Sequence, residues 1–217
     1  MRRARAAAAA ALLLLGTAAR SEGSWSFQVL LGGPLNLPMP LTIRQAGQPD
    51  IRLTAHYSSR PFQLPLHWGI QVARQSGGAD WALELVHQKL YLDNPPPEVQ
   101  YFSITHGFNL LTLSRGFRLG DGLWTRVGAG AVLAHPESMV RGLEFSGGGL
   151  LGSGQYLCGA TLVATLEKRI ALADRLYLAL DGKVAASYAR VPVAGGDASV
   201  PSVSFHLLSG LGYGPAD

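Results

Sequence analysis

The sequence predicts an all-β fold, a closed antiparallel transmembrane β-barrel of eight strands behind an N-terminal signal peptide. Three observations lead to this prediction. The chain is 47% hydrophobic and 15% charged, yet no window after the first twenty residues offers an apolar run long enough for a membrane helix. Its apolar residues alternate with polar ones, and its connections alternate between short and long. Barrel strands show this combination because every second side chain faces lipid.

Residues 1–19 have the order of residue types of a secretory signal peptide. Three arginines within the first five residues precede an apolar stretch from Ala6 to Leu15, and small residues follow up to Ala19. The apolar stretch is shorter than the roughly 20 residues that a spanning helix needs. Cleavage after residue 18 or 19 therefore leaves one domain, residues 20–217, which is exported through the periplasm.

The mature chain is almost neutral and has no cystine. Three of the 18 Lys and Arg residues leave with the signal peptide while all 14 Asp and Glu residues stay, so the formal charge falls to +1. Nucleic-acid binding, which requires a clustered basic face, gains no support from this balance. Cys158 is the only cysteine, which excludes an internal disulfide.

Alternation of apolar and polar residues marks eight strands. The segment 155–170 shows one apolar face, with Tyr156, Cys158 and Leu162, and one polar face, and the segment 175–190 repeats this pattern. The eight predicted strands are 25–33, 51–75, 80–92, 101–118, 123–134, 155–170, 175–190 and 200–213. Pro61 and Pro65 cannot donate to a ladder, so the second strand is expected to bend or bulge.

The lengths of the connections give the orientation. Short connections rich in Gly or Asp lie at 75–78, 119–122 and 171–174, and longer ones lie at 34–50, 93–100, 135–154 and 191–199. Bacterial outer-membrane barrels have short turns on the periplasmic side and long loops outside. The long connections are therefore expected on the cell exterior, where the proline-rich segment 35–43 forms a loop or lid that packs across the barrel mouth or, alternatively, contacts acyl chains.

The interior of an eight-stranded barrel is just wide enough to be filled by side chains, so no open pore is expected. By alternation, six charged residues of both signs face this lumen: Glu84, Arg126, Glu167, Arg169, Asp181 and Lys183. Unpaired charges would be costly there. The favoured interpretation is a structural network of paired charges, and a proton or ion path is the alternative.

Four titratable residues converge on the outer rim, at the ends of the third to fifth strands. They are His87, His106, His135 and Glu137. Histidine and carboxylate side chains at such a rim can act as general acid and base or bind a divalent metal. His67, next to Trp68, is assigned to an aromatic belt. His206 faces inward, and His56 does not join the group.

Three stretches of the chain resemble the outer-membrane barrel family that contains the lipid A oxidases. These stretches are 84–91 (Glu-Leu-Val-His-Gln-Lys-Leu-Tyr), 106–111 (His-Gly-Phe-Asn-Leu-Leu) and 127–137 (Val-Gly-Ala-Gly-Ala-Val-Leu-Ala-His-Pro-Glu). The resemblance implies a lipid-modifying site at the outer rim, with oxygen and a divalent cation as reactants or helpers. One departure is the tail from Gly214 to Asp217, which follows the last strand where such barrels generally end in an aromatic residue.

Three functions are compatible with this reading of the sequence. The first is an integral outer-membrane barrel with a structural or surface-interaction role, whose partners are outer-membrane lipid and lipopolysaccharide. The second is an enzyme that modifies lipid A, with catalytic groups His87, His106, His135 and Glu137. The third is a soluble lipocalin-like carrier, which the charged inward set and the apolar outward set disfavour.

Overall fold

The computed structural model describes residues 23–216, and the predicted signal peptide lies outside the described residues. The strands are β1 (Ser24–Asn36), β2 (Met39–Gln45), β3 (Ile51–Ala55), β4 (Tyr57–Ser58), β5 (Trp68–Ser76), β6 (Ala79–Leu92), β7 (Val99–Gly120), β8 (Leu123–Val140), β9 (Leu143–Phe145), β10 (Tyr156–Ala173), β11 (Leu176–Val193) and β12 (Gly196–Tyr213). A single-turn 3-10 helix, Leu150–Gly152, precedes β10. Within this described part, no helix is long and apolar enough to cross a membrane.

Eight of these strands form a closed antiparallel ring, which confirms the predicted fold. The ring runs β1, β5, β6, β7, β8, β10, β11 and β12, and it closes because β1 pairs with both β5 and β12. Closure removes the exposed edges that so apolar a sheet would otherwise present. The other four strands lie at one end: β2 and β3 form a hairpin on β12, while β4 and β9 extend β6 and β8.

The strands are strongly tilted. Following the register once round the ring from Trp25 leads back to β1 at Leu35, ten residues further along. A stagger of this kind requires the strands to lean by about 35–45° from the barrel axis. Residues that are paired in register from strand to strand therefore lie progressively nearer the loop end as one goes round the wall.

The two ends of the barrel differ, as predicted. Pairs of residues at 77–78, 121–122 and 174–175 make the connections at one end, called the turn end below. The other end, called the loop end, carries the β2–β3 hairpin and the segments 93–98 and 141–155. One connection was predicted wrongly: residues 191–199 are not a long loop, because β11 and β12 pair up to Val193 and Gly196 and turn within two residues.

The second ring strand is broken where its prolines stand. β3 and β4 end before Ser59, and β5 begins only at Trp68, so residues 59–67 leave the sheet and form a strap over the outer wall. Lys89 Nζ donates to the carbonyl of Gln63 at 2.6 Å, and this contact ties the strap to β6. The predicted bent strand is therefore a strand interrupted by a strap.

The interior has two layers. The half near the turn end is polar and charged, with Gln28, Asp80, Glu84 and Arg126 among its buried residues. The half near the loop end is a continuous apolar core that includes Leu41, Ile43, Leu90, Phe102, Phe108 and Val200. The expectation of a charged lumen holds only for the first half, because inward positions beyond the ion pairs are filled by Val, Leu, Ile and Phe.

Large apolar side chains cover the exterior. Leu113, Val127, Leu162, Leu207 and Leu211 are each more than half exposed. Cys158 was predicted on this face, but a register shift between Leu157 and Gly159 turns it toward the apolar core. A bulge inserts one extra residue, which reverses the alternation beyond it.

Candidate functional site

Three of the four predicted rim residues meet on the outer wall. His106 comes from β7, and His135 and Glu137 come from the neighbouring strand β8. The buried residues Ala134, Pro136 and Ser138 alternate with His135 and Glu137, so the latter two point away from the lumen. Their ligand atoms all lie within 4.8 Å of one another.

The geometry of this cluster is held by a hydroxyl group and by ring contacts. Thr105 Oγ1 donates to Glu137 Oε2 at 2.9 Å and lies 3.2 Å from His106 Nδ1. The other carboxylate oxygen, Glu137 Oε1, lies 3.8 Å from His106 Nδ1 and 3.9 Å from His135 Nε2. The two imidazole rings are 4.9 Å apart, centroid to centroid.

A bulge in β7 places Thr105 and His106 at the site. The register between β7 and β8 shifts between Ile104 and Phe108, and Gly107 there has a φ of 124°. This positive φ favours glycine, because an L side chain is strained in that region. The bulge breaks the alternation, so two consecutive side chains reach Glu137 instead of one.

The loop before β10 covers the cluster from the side of the loop end. Gly154, which has a φ of +76°, packs directly against the His135 ring, and a Cβ at this position would lie 2.1 Å from His135 Cε1. The next residue, Gln155, donates from Nε2 to the carbonyl of His106 at 2.8 Å. The side chain of His106 is 60% exposed while that of His135 is 17% exposed. The cluster is therefore supported on one side and open to the exterior on the other.

Two imidazole nitrogens and one carboxylate oxygen form a suitable donor set for a divalent transition metal. In a tetrahedral zinc site with bonds of about 2.1 Å, neighbouring ligand atoms are about 3.4 Å apart. The ion-pair distances of 3.8 and 3.9 Å would have to shorten by about half an ångström, and the widest separation of ligand atoms, within 4.8 Å, would have to shorten by more. Three protein ligands leave at least one coordination position free, which is the pattern of catalytic sites rather than structural ones.

His87 lies outside this cluster. Its Nδ1 is 2.8 Å from Asn109 Oδ1, and its ring stacks on Trp68 with the centroids 5.5 Å apart. Asn109 Nδ2 donates weakly to Gln155 Oε1 at 3.4 Å, so His87 is connected to the cluster only through two amide side chains. The sequence placed it at the site because it stands in the outer half of the adjacent strand.

The six predicted lumen charges lie inside the barrel and are joined by a seventh. Arg126 contacts Asp80 at 2.7 Å and Glu167 at 2.8 Å, and it is 1% exposed. Arg169 pairs with Glu167, and Lys183 pairs with Glu84 and Asp181. The sequence interpretation missed Asp80, although it stands four residues before Glu84 and so on the same face of β6.

His67 and His206 form a separate pair inside the wall. His206 Nδ1 lies 3.2 Å from His67 Nε2, and His206 Nε2 lies 2.8 Å from Ser204 Oγ. Both rings are at most 3% exposed. The expected aromatic-belt role of His67 is wrong, because the strap carries its ring into the lumen.

Comparison with known proteins gives similarities in structure only. No protein-family model matches the sequence, and no curated protein matches it. A structure of Neisserial surface protein A aligns over 89% of this chain and 97% of its own chain, with 10% sequence identity and a TM-score of 0.40. Ail of Yersinia pestis with the heparin analogue sucrose octasulfate covers 89% and 100%, at 8% identity and a TM-score of 0.41. AlkL in DMPC lipid bilayers covers 92% and 93%, at 12% identity and a TM-score of 0.49.

Proposed function

We propose that this protein is an integral barrel of the bacterial outer membrane, without an open pore, with a structural or surface-interaction role at the cell surface. The observation that carries the proposal is the distribution of charge on the outer wall of a closed ring. Such a wall has to be apolar across the hydrocarbon region, which in outer-membrane barrels is about 25 Å tall.

The outward positions meet this requirement. Arg74 and Arg115 bound the band near the turn end, and Glu137 and Arg190 bound it near the loop end. Between them, the outward side chains of the described strands carry one charge, that of Lys89. The strap covers Lys89, which is 1% exposed. A continuous uncharged band therefore encircles the barrel, and it suits hydrocarbon rather than water.

Aromatic residues and arginines mark the boundary of this band at the turn end. Arg74 lies over the ring of Trp25, and Arg115 lies over those of Trp81 and Phe117, with guanidinium-to-centroid distances of 5.3 to 5.8 Å. Aromatic girdles stand at the interfaces of outer-membrane barrels. Because such barrels have short turns on the periplasmic side and longer loops outside, we infer that the turn end faces the periplasm and the loop end faces the exterior.

The filled interior supports the absence of a pore. Arg126, Arg169 and Lys183 are at most 2% exposed, and the apolar core fills the lumen toward the loop end. Fractionation of cells and solute-flux measurements on proteoliposomes test the proposal. We expect the protein in the outer-membrane fraction and no flux of small sugars above that of empty vesicles. A soluble protein, or vesicles that become leaky, would contradict it.

A second candidate function is modification of lipid A or a related outer-leaflet lipid. The observation that favours it is the cluster of His106, His135 and Glu137, which faces outward just beyond the uncharged band. This is the height at which lipid headgroups contact the wall. A divalent metal held by these side chains would supply a Lewis acid with a free position for an oxygen atom of the substrate. Thr105 would hold the Glu137 carboxylate in position.

Mass spectrometry of lipid A from cells with and without the protein tests the enzymatic proposal. We expect a mass change that depends on the protein, disappears in Glu137→Ala and His135→Ala, and persists in His87→Ala at a reduced or equal level. An unchanged lipid profile under verified outer-membrane expression would exclude the enzymatic function while leaving the barrel proposal intact. Full activity of Glu137→Ala would exclude the site.

A further inference from the structure

A groove in the outer wall crosses β8, β10, β11 and β12. Its volume is about 410 Å³, and small residues that include Ala129, Ala160 and Ala186 line it. Leu162 and Tyr188, which are 64% and 52% exposed, stand beside it. The groove exists because three alanines interrupt a wall that elsewhere carries leucine and aromatic side chains.

Two arginines lie directly beyond the groove, toward the loop end. Arg190 follows Tyr188 by two residues on β11, and its Nη2 donates to Asp197 Oδ2 at 2.6 Å. Arg44, from β2, donates from Nη1 to Asp197 Oδ1 at 3.4 Å and to Ser199 Oγ at 2.9 Å. The hydroxyl of Tyr188 donates to the same Ser199 Oγ at 3.3 Å, which links the groove to the arginines.

These guanidinium groups are oriented and remain accessible. The side chains of Arg190 and Arg44 are 63% and 44% exposed, against 24% for Asp197. A hydrogen bond from Arg190 holds the pKa of Asp197 below its usual range, so its carboxylate orients both arginines at neutral pH. Arginine has five N–H donors, and only one or two from each are used here, so donors remain for an anionic ligand.

We propose that this face binds lipid A, a phosphorylated glycolipid with several acyl chains, with the chains in the groove and a phosphate on Arg44 and Arg190. The proposal rests on the proposed outer-membrane location and orientation. Arginine pairs bind phosphate through parallel charge-assisted hydrogen bonds. Residue spacing along a strand of about 3.3 Å puts Arg190 roughly 7 Å beyond Tyr188, as a headgroup lies beyond its chains.

The groove crosses four neighbouring strands that are spaced by about 4.8 Å, so a lipid bound in it contacts β8, β10, β11 and β12. The groove and the candidate metal cluster share β8, on which Ala129 stands six residues before His135.

Binding of purified lipid A to the full-length mature protein in detergent, followed by native mass spectrometry, tests the proposal. Bis-phosphorylated lipid A, its dephosphorylated form and phosphatidylglycerol serve as probes. Replacing Arg44 and Arg190 together by Ala removes at least two charged hydrogen bonds, so we expect affinity for phosphorylated lipid A to fall about ten-fold or more. Ala160→Trp, which fills the groove, should weaken the binding of both forms of lipid A.

Replacing Arg118 and Arg175 together by Ala is the matched control, since it removes the same two charges from exposed residues at the turn end, and its affinity should equal that of the wild type. Equal affinity of the double variant for phosphorylated lipid A, with an unchanged circular dichroism spectrum, would overturn the proposal. Equal affinity of the wild type for dephosphorylated lipid A or phosphatidylglycerol would also overturn it. Because binding is measured in detergent, its outcome is separate from that of fractionation, which tests membrane location.

Discussion

Replacement of Arg126 by Met should destabilise the barrel far more than loss of an equally short ion pair on its surface. Arg126 is 1% exposed and contacts the buried carboxylates of Asp80 and Glu167 at 2.7 and 2.8 Å. Methionine fills similar space but leaves Asp80 without its hydrogen-bonding arginine and Glu167 with Arg169 as its remaining cationic partner. Removing one member of a buried charge network costs about 3–5 kcal/mol, mostly because the remaining charges are buried and uncompensated.

Arg52→Met is the matched control. Arg52 also contacts a carboxylate, Asp50, at 2.8 Å, but its side chain is 75% exposed. A pair of this kind contributes about 0.2–1 kcal/mol. Reversible urea unfolding in lipid vesicles, followed by tryptophan fluorescence, gives both free energies of unfolding. If Arg126→Met lost no more stability than Arg52→Met, the lumen would have to be hydrated, and the inference of a sealed interior would fail.

Three other predictions follow from the wall, the site and the strap. Leu111→Arg, on the outward face of β7 four residues from Arg115 toward the loop end, should cost about 2–4 kcal/mol of unfolding free energy in vesicles, whereas Leu143→Arg on β9 should change it by less than about 0.5 kcal/mol. Equal costs would place both residues in water. Gly154→Ala puts a Cβ 2.1 Å from His135 and should weaken zinc binding, measured by calorimetry. Gly152→Ala, at a similar φ of +73° with open space around it, should not. An equal loss of zinc affinity in both variants would make backbone strain the cause. Asn36→Ala removes hydrogen bonds to Ser59 and to the carbonyl of Tyr57 and should speed chymotrypsin cleavage after Phe62, an exposed residue of the strap; unchanged cleavage would show that Asn36 does not hold the strap.

The central part of each strand could be predicted from the sequence because lipid and lumen impose opposite polarities on alternate residues. Leu176, Leu178 and Leu180 alternate with Tyr177, Ala179 and Asp181, and this segment lies where predicted. Beyond the apolar band the outward face is polar, while inward residues such as Val140 and Ala198 stay buried in the core, so the polarity pattern of the strand centre no longer applies. The extensions of β8 to Val140 and of β12 back to Gly196 were missed for that reason, as was the β2–β3 hairpin.

The sequence could predict the region of the candidate site but not which side chains meet there. Strand direction and parity bring His135 and Glu137 to the outer rim, and both follow from the sequence. The exact partners depend on a bulge at Gly107 and on the loop that ends at Gly154, and neither leaves a periodic signal in the sequence. His87 and His67 were misplaced for a related reason, because His87 is held by Trp68 and Asn109, and His67 at the end of the strap is turned into the lumen.

The most direct test of the central claim is the accessibility of alternate residues along β7. In a Cys158→Ser background, spin labels are placed one at a time at positions 110 to 114, and collisions with oxygen and with a water-soluble nickel complex are measured in vesicles. The outward positions Leu111 and Leu113, 38% and 53% exposed, should collide with oxygen dissolved in lipid, and Leu110, Thr112 and Ser114, at most 4% exposed, should collide little with either reagent. Access of the nickel complex to both faces, or accessibility without a period of two, would contradict a closed barrel in lipid.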